Sequence, residues 1–352
     1  MDETAVDAFF RPEDLADVRA FYERRAGAPT RLLRLPNLAG RLGIRELLVK
    51  NESERFGLPA FKIVGARYAI ARLLERQPGI TDLAAATAGN HGRAVARVAR
   101  EQGLRAHIYV PAGTAGARVA ALESERADVT VTAVDYDETV RTMRQRAESR
   151  GWTIVSDTAW PGYEQIPYWI MCGYAWIFEE AASQWDAPPD LIVVQAGVGS
   201  LAGAAAGWLE AKYDTDDRPR LVIAEPAGSA CVGTSLTAGT RVTLPSCAPT
   251  KMVGLRCAEV SPIAWPVIQR VAAAAIGVAE PIADEAVARL AAPTEDDPAI
   301  AAGTSGACGV AAVMTLMRAS DLADLRSQLL VDRSTRMLTM VTEGPTQMLT
   351  PA

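Results

Sequence analysis

Short apolar runs of strand character alternate with helical stretches along most of this 352-residue chain. Leu83 to Thr87 leads through the turn Gly89-Asn90-His91-Gly92 into a helix that reaches about Glu101 and stops at Gly103. Ala106 to Val110 follows as a strand ended by Pro111, then Val129 to Val134, a polar helix to about Arg150, and Thr153 to Ser156. The rhythm resumes at Leu191 to Val194, with a helix over Leu201 to Lys212, a strand at Leu221 to Ala224 and a last strand at Met337 to Val341. Such alternation predicts parallel sheets covered by helices on both faces. Ligands of open parallel sheets bind beyond the carboxyl ends of the strands. Thr87, Asp157, Gln195, Glu225 and Thr342 all follow strand-like runs and so fall on that edge.

The length suits two moderate domains, or one large domain carrying a smaller one. A net charge of −6 argues against a nucleic acid or an anionic membrane surface as partner. The first twenty residues are acidic and broken by charge, unlike a secretory leader. Leu191 to Leu209 carries no charge, but its Gln195, Ser200 and four glycines suit a strand, a turn and a helix better than a membrane span. Five cysteines (Cys172, Cys231, Cys247, Cys257, Cys308) show no metal-ligand spacing, and there are only two histidines, His91 and His107. No metal site is expected, and free thiols in a reducing cytoplasm are the default. A pairing such as Cys231 with Cys257 stays open.

Three segments could carry chemistry. Lys62 follows Pro59-Ala60-Phe61 at the predicted start of a helix that runs to Gln77-Pro78-Gly79. A cation in the first turn opposes the helix dipole, which favours the neutral amine that Schiff-base chemistry needs. A solvated surface lysine would look the same in isolation, although Arg greatly outnumbers Lys in this chain. The second segment, Gly197-Val198-Gly199-Ser200-Leu201-Ala202-Gly203, sits between a strand and a helix. There, glycines admit an anion close to the backbone and the helix start offers N–H groups to a phosphate. A tight packing turn is the plain alternative, and a dinucleotide site with Glu225 as the ribose ligand is the serious rival that this segment alone does not exclude. The third, Ala86-Thr87-Ala88-Gly89-Asn90-His91-Gly92, could present N–H groups and the Asn90 amide to an anionic oxygen, or could be a capped turn.

The segments KNESERFGLPAFKIVGARYA, ATAGNHGRAVA, SDTAWPGYEQIPYWIMCGY, QAGVGSLAG, MVGLRCAEVSPIAW and VTEGPT occur in this order. Together they resemble the fold-type II pyridoxal-phosphate (PLP) enzymes, and within them the diaminopropionate ammonia-lyases, from about Pro29 to Thr346. The resemblance implies an α/β, tryptophan synthase β-like architecture of two doubly wound domains with the cofactor between them. The large PLP-binding domain would comprise residues 1–80 and 185–352, and the small domain residues 81–184. It implies PLP on Lys62 as a Schiff base, Phe61 packed beside it and Asn90 on the ring hydroxyl. The backbone of Gly197, Val198, Gly199, Ser200 and Leu201 would hold the phosphate. Thr342, or alternatively Ser305, would face the pyridine nitrogen. Thr87, Ala88, Gly89 and His91 would receive the substrate carboxylate. Asp157 and Tyr163 lie in the stretch most particular to the ammonia-lyases; Asp157 could bind a β-ammonium or move its proton, or merely cap a turn.

The implied reaction is β-elimination from a small amino acid, 2,3-diaminopropionate first, with Lys62 removing the α-proton. A homodimer in the cytoplasm is implied by the resemblance alone. One position departs from the family: where it carries aspartate in ATDGNHG, this chain has Ala88. That carboxylate is associated with proton abstraction from the D-isomer, so its absence implies an L-restricted enzyme or another substrate. The alternatives are serine/threonine dehydration, a β-replacement synthase, and a dinucleotide-binding or catalytically silent relative.

Overall fold

A computed structural model describes residues 8–25, 27–294 and 296–345. In chain order the elements begin α1 (Pro12–Arg25), β1 (Leu32–Arg34), α2 (Pro36–Leu42), β2 (Glu46–Asn51), α3 (Lys62–Arg76), β3 (Asp82–Ala86), α4 (Asn90–Glu101) and β4 (Arg105–Val110). They continue as α5 (Gly116–Glu123), β5 (Asp128–Val131), α6 (Tyr136–Arg150), β6 (Thr153–Ile154), α7 (Gln165–Ala182), β7 (Leu191–Gln195), α8 (Ser200–Lys212) and β8 (Arg220–Pro226). The last are α9 (Cys231–Ala238), α10 (Trp265–Val271), β9 (Ala272–Val278), α11 (Glu280–Ala291), α12 (Thr304–Arg318), α13 (Ala323–Gln328) and β10 (Arg336–Val341).

These elements form two compact units, one from the described residues up to Ser53 together with Tyr174–Pro345, the other from Glu54–Gly173. The boundaries differ from the expected 80/81 and 184/185. Helix α3 joins the small unit because its apolar side, including Ile63, Val64, Ala66 and Ile70, is buried and it packs against α4. The residues after Gly173 join the large unit because Glu180 and Gln184 are tied to Thr30, Leu32 and Lys50.

In the large unit six strands are ordered β1-β2-β10-β7-β8-β9. All neighbours are parallel except β1, which pairs antiparallel with β2. The central strands β7 and β8 are apolar and buried almost without interruption, as strands covered on both faces must be. From β7 the chain winds to β8 and β9, then returns to place β10 on the other side of β7. The crevice where the winding reverses therefore opens beyond the carboxyl ends of β7 and β10. Gln195, the Gly197 turn and Thr342 lie there.

The small unit repeats the device with four parallel strands ordered β5-β4-β3-β6. Helix α4 buries Ala94, Val95, Val98 and Ala99, one helical stripe, and lies on β3 and β4. Winding runs from β3 out to β5 and returns to β6 on the opposite side of β3. The reversal brings the turn after β3 (Thr87–Gly89) beside the loop after β6, which carries Asp157. The uncharged Leu191–Leu209 stretch resolves into β7, a turn and α8. Among the described residues no helix is long and apolar enough to cross a membrane.

Candidate active site

Four lysines occur in the chain, and their surroundings separate them. Lys50 is fully buried on β2 and donates to Thr30 O at 2.6 Å and to Glu180 at 2.5 Å. Lys212 and Lys251 form surface pairs with Glu179 and Asp284. Lys62, the first residue of α3, is 24% exposed and so remains reachable while held in the small unit's crevice. Its Nζ donates to Asp157 Oδ2 at 2.6 Å and stands 5.3 Å from the centre of the Phe61 ring. Phe61 is itself buried at the start of α3.

Asp157 is thus the counter-charge of Lys62. Burial works to raise its pKa, but the Lys62 ammonium and then His91 outweigh it, holding the carboxyl well below the usual carboxylate range. Its loop is held by Tyr163, whose hydroxyl donates to Ile154 O at 3.0 Å and accepts from Ser156 N–H at 2.8 Å. The Tyr163 ring stacks on Trp160 at 4.0 Å, and Arg144 covers Trp160 at 4.5 Å. Burial pushes the Tyr163 phenol up. With a hydrogen bond to backbone on each side, this hydroxyl fastens the loop.

Thr87 to His91 form the turn from β3 into α4, all partly or wholly buried. Thr87 N–H donates to Tyr109 O, and the Thr87 hydroxyl accepts from Gly89 N–H at 3.2 Å. Gly92 is needed here, because a Cβ would stand 2.7 Å from Thr87 O. No side chain caps α4 at Gly89, so the helix start presents its amides where the resemblance puts a carboxylate. Asn90 is the first residue of α4, and Ala88 leaves the turn without a carboxylate. His91 is buried, and Nε2 donates to Val155 O at 2.9 Å.

The large unit brings together the other predicted residues. Gly199 takes φ +90°, and a Cβ there would meet Ile268 and Val260 at 3.1 and 3.3 Å. A Cβ on Gly197 would stand 3.0 Å from Cys257 Sγ. Helix α8 begins after this turn with no side-chain cap, its first turn closed by Gly203 N–H on Gly199 O. Val198 O accepts from Ser261 N–H at 2.7 Å, while the buried Ser261 hydroxyl has no partner. Ser261 was not among the expected residues. Its only sequence signal was membership of the MVGLRCAEVSPIAW segment.

Thr342 follows β10, and its buried hydroxyl accepts from Gln195 Nε2 at 3.0 Å. Ser305, in the first turn of α12, accepts from Gly254 N–H at 3.2 Å. Each hydroxyl has a donor on one side and keeps a hydrogen to give. Gln195 was placed on the functional edge but given no role; its Nε2 is ringed by Ser305 O, Gly306 O, Met340 O and the Thr342 hydroxyl. Glu225 is no ribose ligand, because its two oxygens accept from Val232 N–H and Gly233 N–H at 2.8 Å and hold the start of α9. All five cysteines are thiols; Cys231 and Cys257 flank Gly197 without a disulfide.

The sequence and the fold resemble those of known proteins. The family profile described as "Pyridoxal-phosphate dependent enzyme" matches residues 24–331, and the chain belongs to that family. It is 36% identical to the diaminopropionate ammonia-lyase of Escherichia coli K12, over 93% of this chain and 87% of that protein. Identity to the Salmonella typhimurium diaminopropionate ammonia-lyase is 35%, over 94% of this chain and 89% of that one. The crystal structure of the Escherichia coli enzyme with an aminoacrylate-PLP azomethine reaction intermediate superposes with a TM-score of 0.88 at 35% identity, covering 96% of this chain and 91% of that one.

The residues fit PLP. The uncapped start of α8, the glycine turn before it and the orphaned, buried Ser261 hydroxyl suit a phosphate. The unspent hydrogens of Thr342 and Ser305 suit a pyridine nitrogen, and Lys62 is a reachable amine.

Proposed function

We propose that this chain is a PLP-dependent ammonia-lyase acting on L-2,3-diaminopropionate, which it converts with water to pyruvate and two ammonia molecules. The observation that carries the reading is the pairing of Lys62 with Asp157, an acid–base couple in one crevice. PLP, when bound, supplies a sink for the electron pair left at the α-carbon. Lys62 would hold the cofactor, and its amine is the base placed to take the α-proton. Asp157 then has a cation to receive, the substrate's β-ammonium, and steers that nitrogen toward departure as neutral ammonia. The start of α4 and the Thr87–Gly89 turn bind the α-carboxylate, and Asn90 the ring hydroxyl. Thr342 gives its hydrogen to the ring nitrogen, with Ser305 as the alternative donor. Gly197 to Leu201, joined by Ser261, hold the phosphate. The three-carbon enamine released takes up water, giving pyruvate and the second ammonia.

Ala88 supports restriction to the L-isomer, since the turn lacks a carboxylate to serve as a base from the other face. A cytoplasmic homodimer is the assembly proposed, on the family likeness and the five free thiols. The test is incubation of the PLP-loaded protein with L- and D-2,3-diaminopropionate, L-serine and L-threonine, measuring 2-oxo acid and ammonia together. Two ammonia per pyruvate from the L-diamine alone is expected. One ammonia per 2-oxo acid from serine or threonine, with the diamine inert, would make the chain a dehydratase. Product formed only when a nucleophile is added would make it a synthase.

A further inference from the structure

The neutral His91 ring has only one available tautomer. Val155 O is a carbonyl and can only accept, so Nε2, 2.9 Å away, carries the hydrogen. Nδ1 is then a bare lone pair. It is buried without a hydrogen-bond partner in a residue only 5% exposed. It stands 3.9 Å from Asp157 Oδ2, beyond hydrogen-bonding distance, and that same oxygen is the one held by Lys62 at 2.6 Å. The Tyr163 hydroxyl beside this loop is committed to backbone on both sides. Among the described residues, Asp157 and, behind it, Lys62 face His91.

A half-buried carboxylate flanked by one cation and one empty acceptor can exchange the first for the second when a proton arrives. We propose that His91 is a positioning residue that, on protonation at Nδ1, competes for the Asp157 carboxylate and withdraws it from Lys62 and from a cationic substrate. Neutral His91 leaves Asp157 to the ammonium groups of the reaction. Protonated His91 closes the 3.9 Å gap and occupies Oδ2. The role rests on the ammonia-lyase reading in one respect only: the substrate brings its own ammonium to Asp157. For such a substrate His91 sets the acid limb of kcat/KM, acting through KM more than through kcat.

Because the chain has two histidines, its imidazole spectrum is simple, and the signal lost in His91→Gln is that of His91. The full-length, cofactor-free chain is titrated by NMR as wild type, Lys62→Ala and Lys62→Ala/Asp157→Asn. Without the rival cation, His91 is expected to titrate at least about one pH unit higher in Lys62→Ala, and to fall back when Asp157 is neutralised. His107, paired with Asp82 and Asp128, serves as the unmoved control. A His91 titration that ignores the loss of Lys62 overturns the proposal. That measurement needs no substrate, so it can fail while ammonia-lyase activity stands, and succeed where that activity is absent. In the second arm, His91→Gln keeps a side-chain N–H for Val155 O but cannot protonate. Its acid limb of kcat/KM for the diamine should shift down by at least about one pH unit. An unchanged limb in a folded His91→Gln also overturns the proposal, and the NMR arm decides alone if that variant does not fold.

Discussion

Lys62 works under two opposed influences. The start of α3 disfavours a cation in its first turn, while Asp157 at 2.6 Å supplies a counter-charge. An amine so placed can hold a proton or release it according to what else claims the carboxylate. Replacing it should be decisive. After borohydride treatment of the loaded protein, mass spectrometry should find the cofactor on the Lys62 peptide, and Lys62→Ala should carry none. Cofactor on any other lysine would refute the assignment. Asp157→Asn keeps the shape and removes the charge; kcat/KM for the diamine is expected to fall about 10²–10⁴-fold, with an unchanged circular dichroism spectrum. Retained activity would reduce Asp157 to a loop residue.

Turns, more than strands or helices, carry the chemistry at the scale of elements. The Gly197–Ser200 turn depends on Gly199, whose φ of +90° and close neighbours Ile268 and Val260 both exclude a side chain. Gly199→Ala should cost about 1–3 kcal/mol of stability and weaken cofactor retention, read as denaturation midpoint and as PLP absorbance surviving gel filtration. In the small unit the matching device is the Tyr163 latch. Tyr163→Phe removes the partner of a half-buried N–H and a half-buried C=O, a loss of about 1 kcal/mol, and should lower kcat by freeing Asp157 to move. A variant as active and stable as the wild type would show that the loop holds itself. Most of these elements were legible in the sequence, because strand and helix periods of the β3–α4–β4 and β7–α8–β8 segments agree with their burial. Strand β9, by contrast, reads AAAAIGV, and alanines favour helix in isolation. The open edge of β8 makes it a strand, through pairing that begins with a register shift at Leu221/Val222.

Across the large unit, the buried Glu225 couples folding to pH. Burial pushes its pKa up to about 7 from an ordinary 4.5, so the folded state favours the protonated acid. Its stabilising contribution is therefore complete below about pH 4.5 and is lost as pH rises through 7, about 3 kcal/mol in all. Urea midpoints measured from pH 5 to 8 should decline, and Glu225→Gln should remove that part of the slope. A slope unaltered in the variant would place the titration elsewhere.

Sequence by itself determined the parallel α/β class and, with the motif order, pointed to Lys62, the Gly197 turn and the edge on which functional residues would lie, because period, glycine placement and motif order are local properties. It also placed Asp157 on that edge and His91 in the turn after Thr87, but not what each one touches. Only the tertiary structure decided those partners. The return of β6 to the far side of β3 sets residues 95 positions apart within 2.6 Å. The same fold spent the Tyr163 hydroxyl on backbone, turned Glu225 into a helix anchor and moved α3 into the small unit. Contact across such separations is set by the order in which strands close a sheet, which no local pattern encodes.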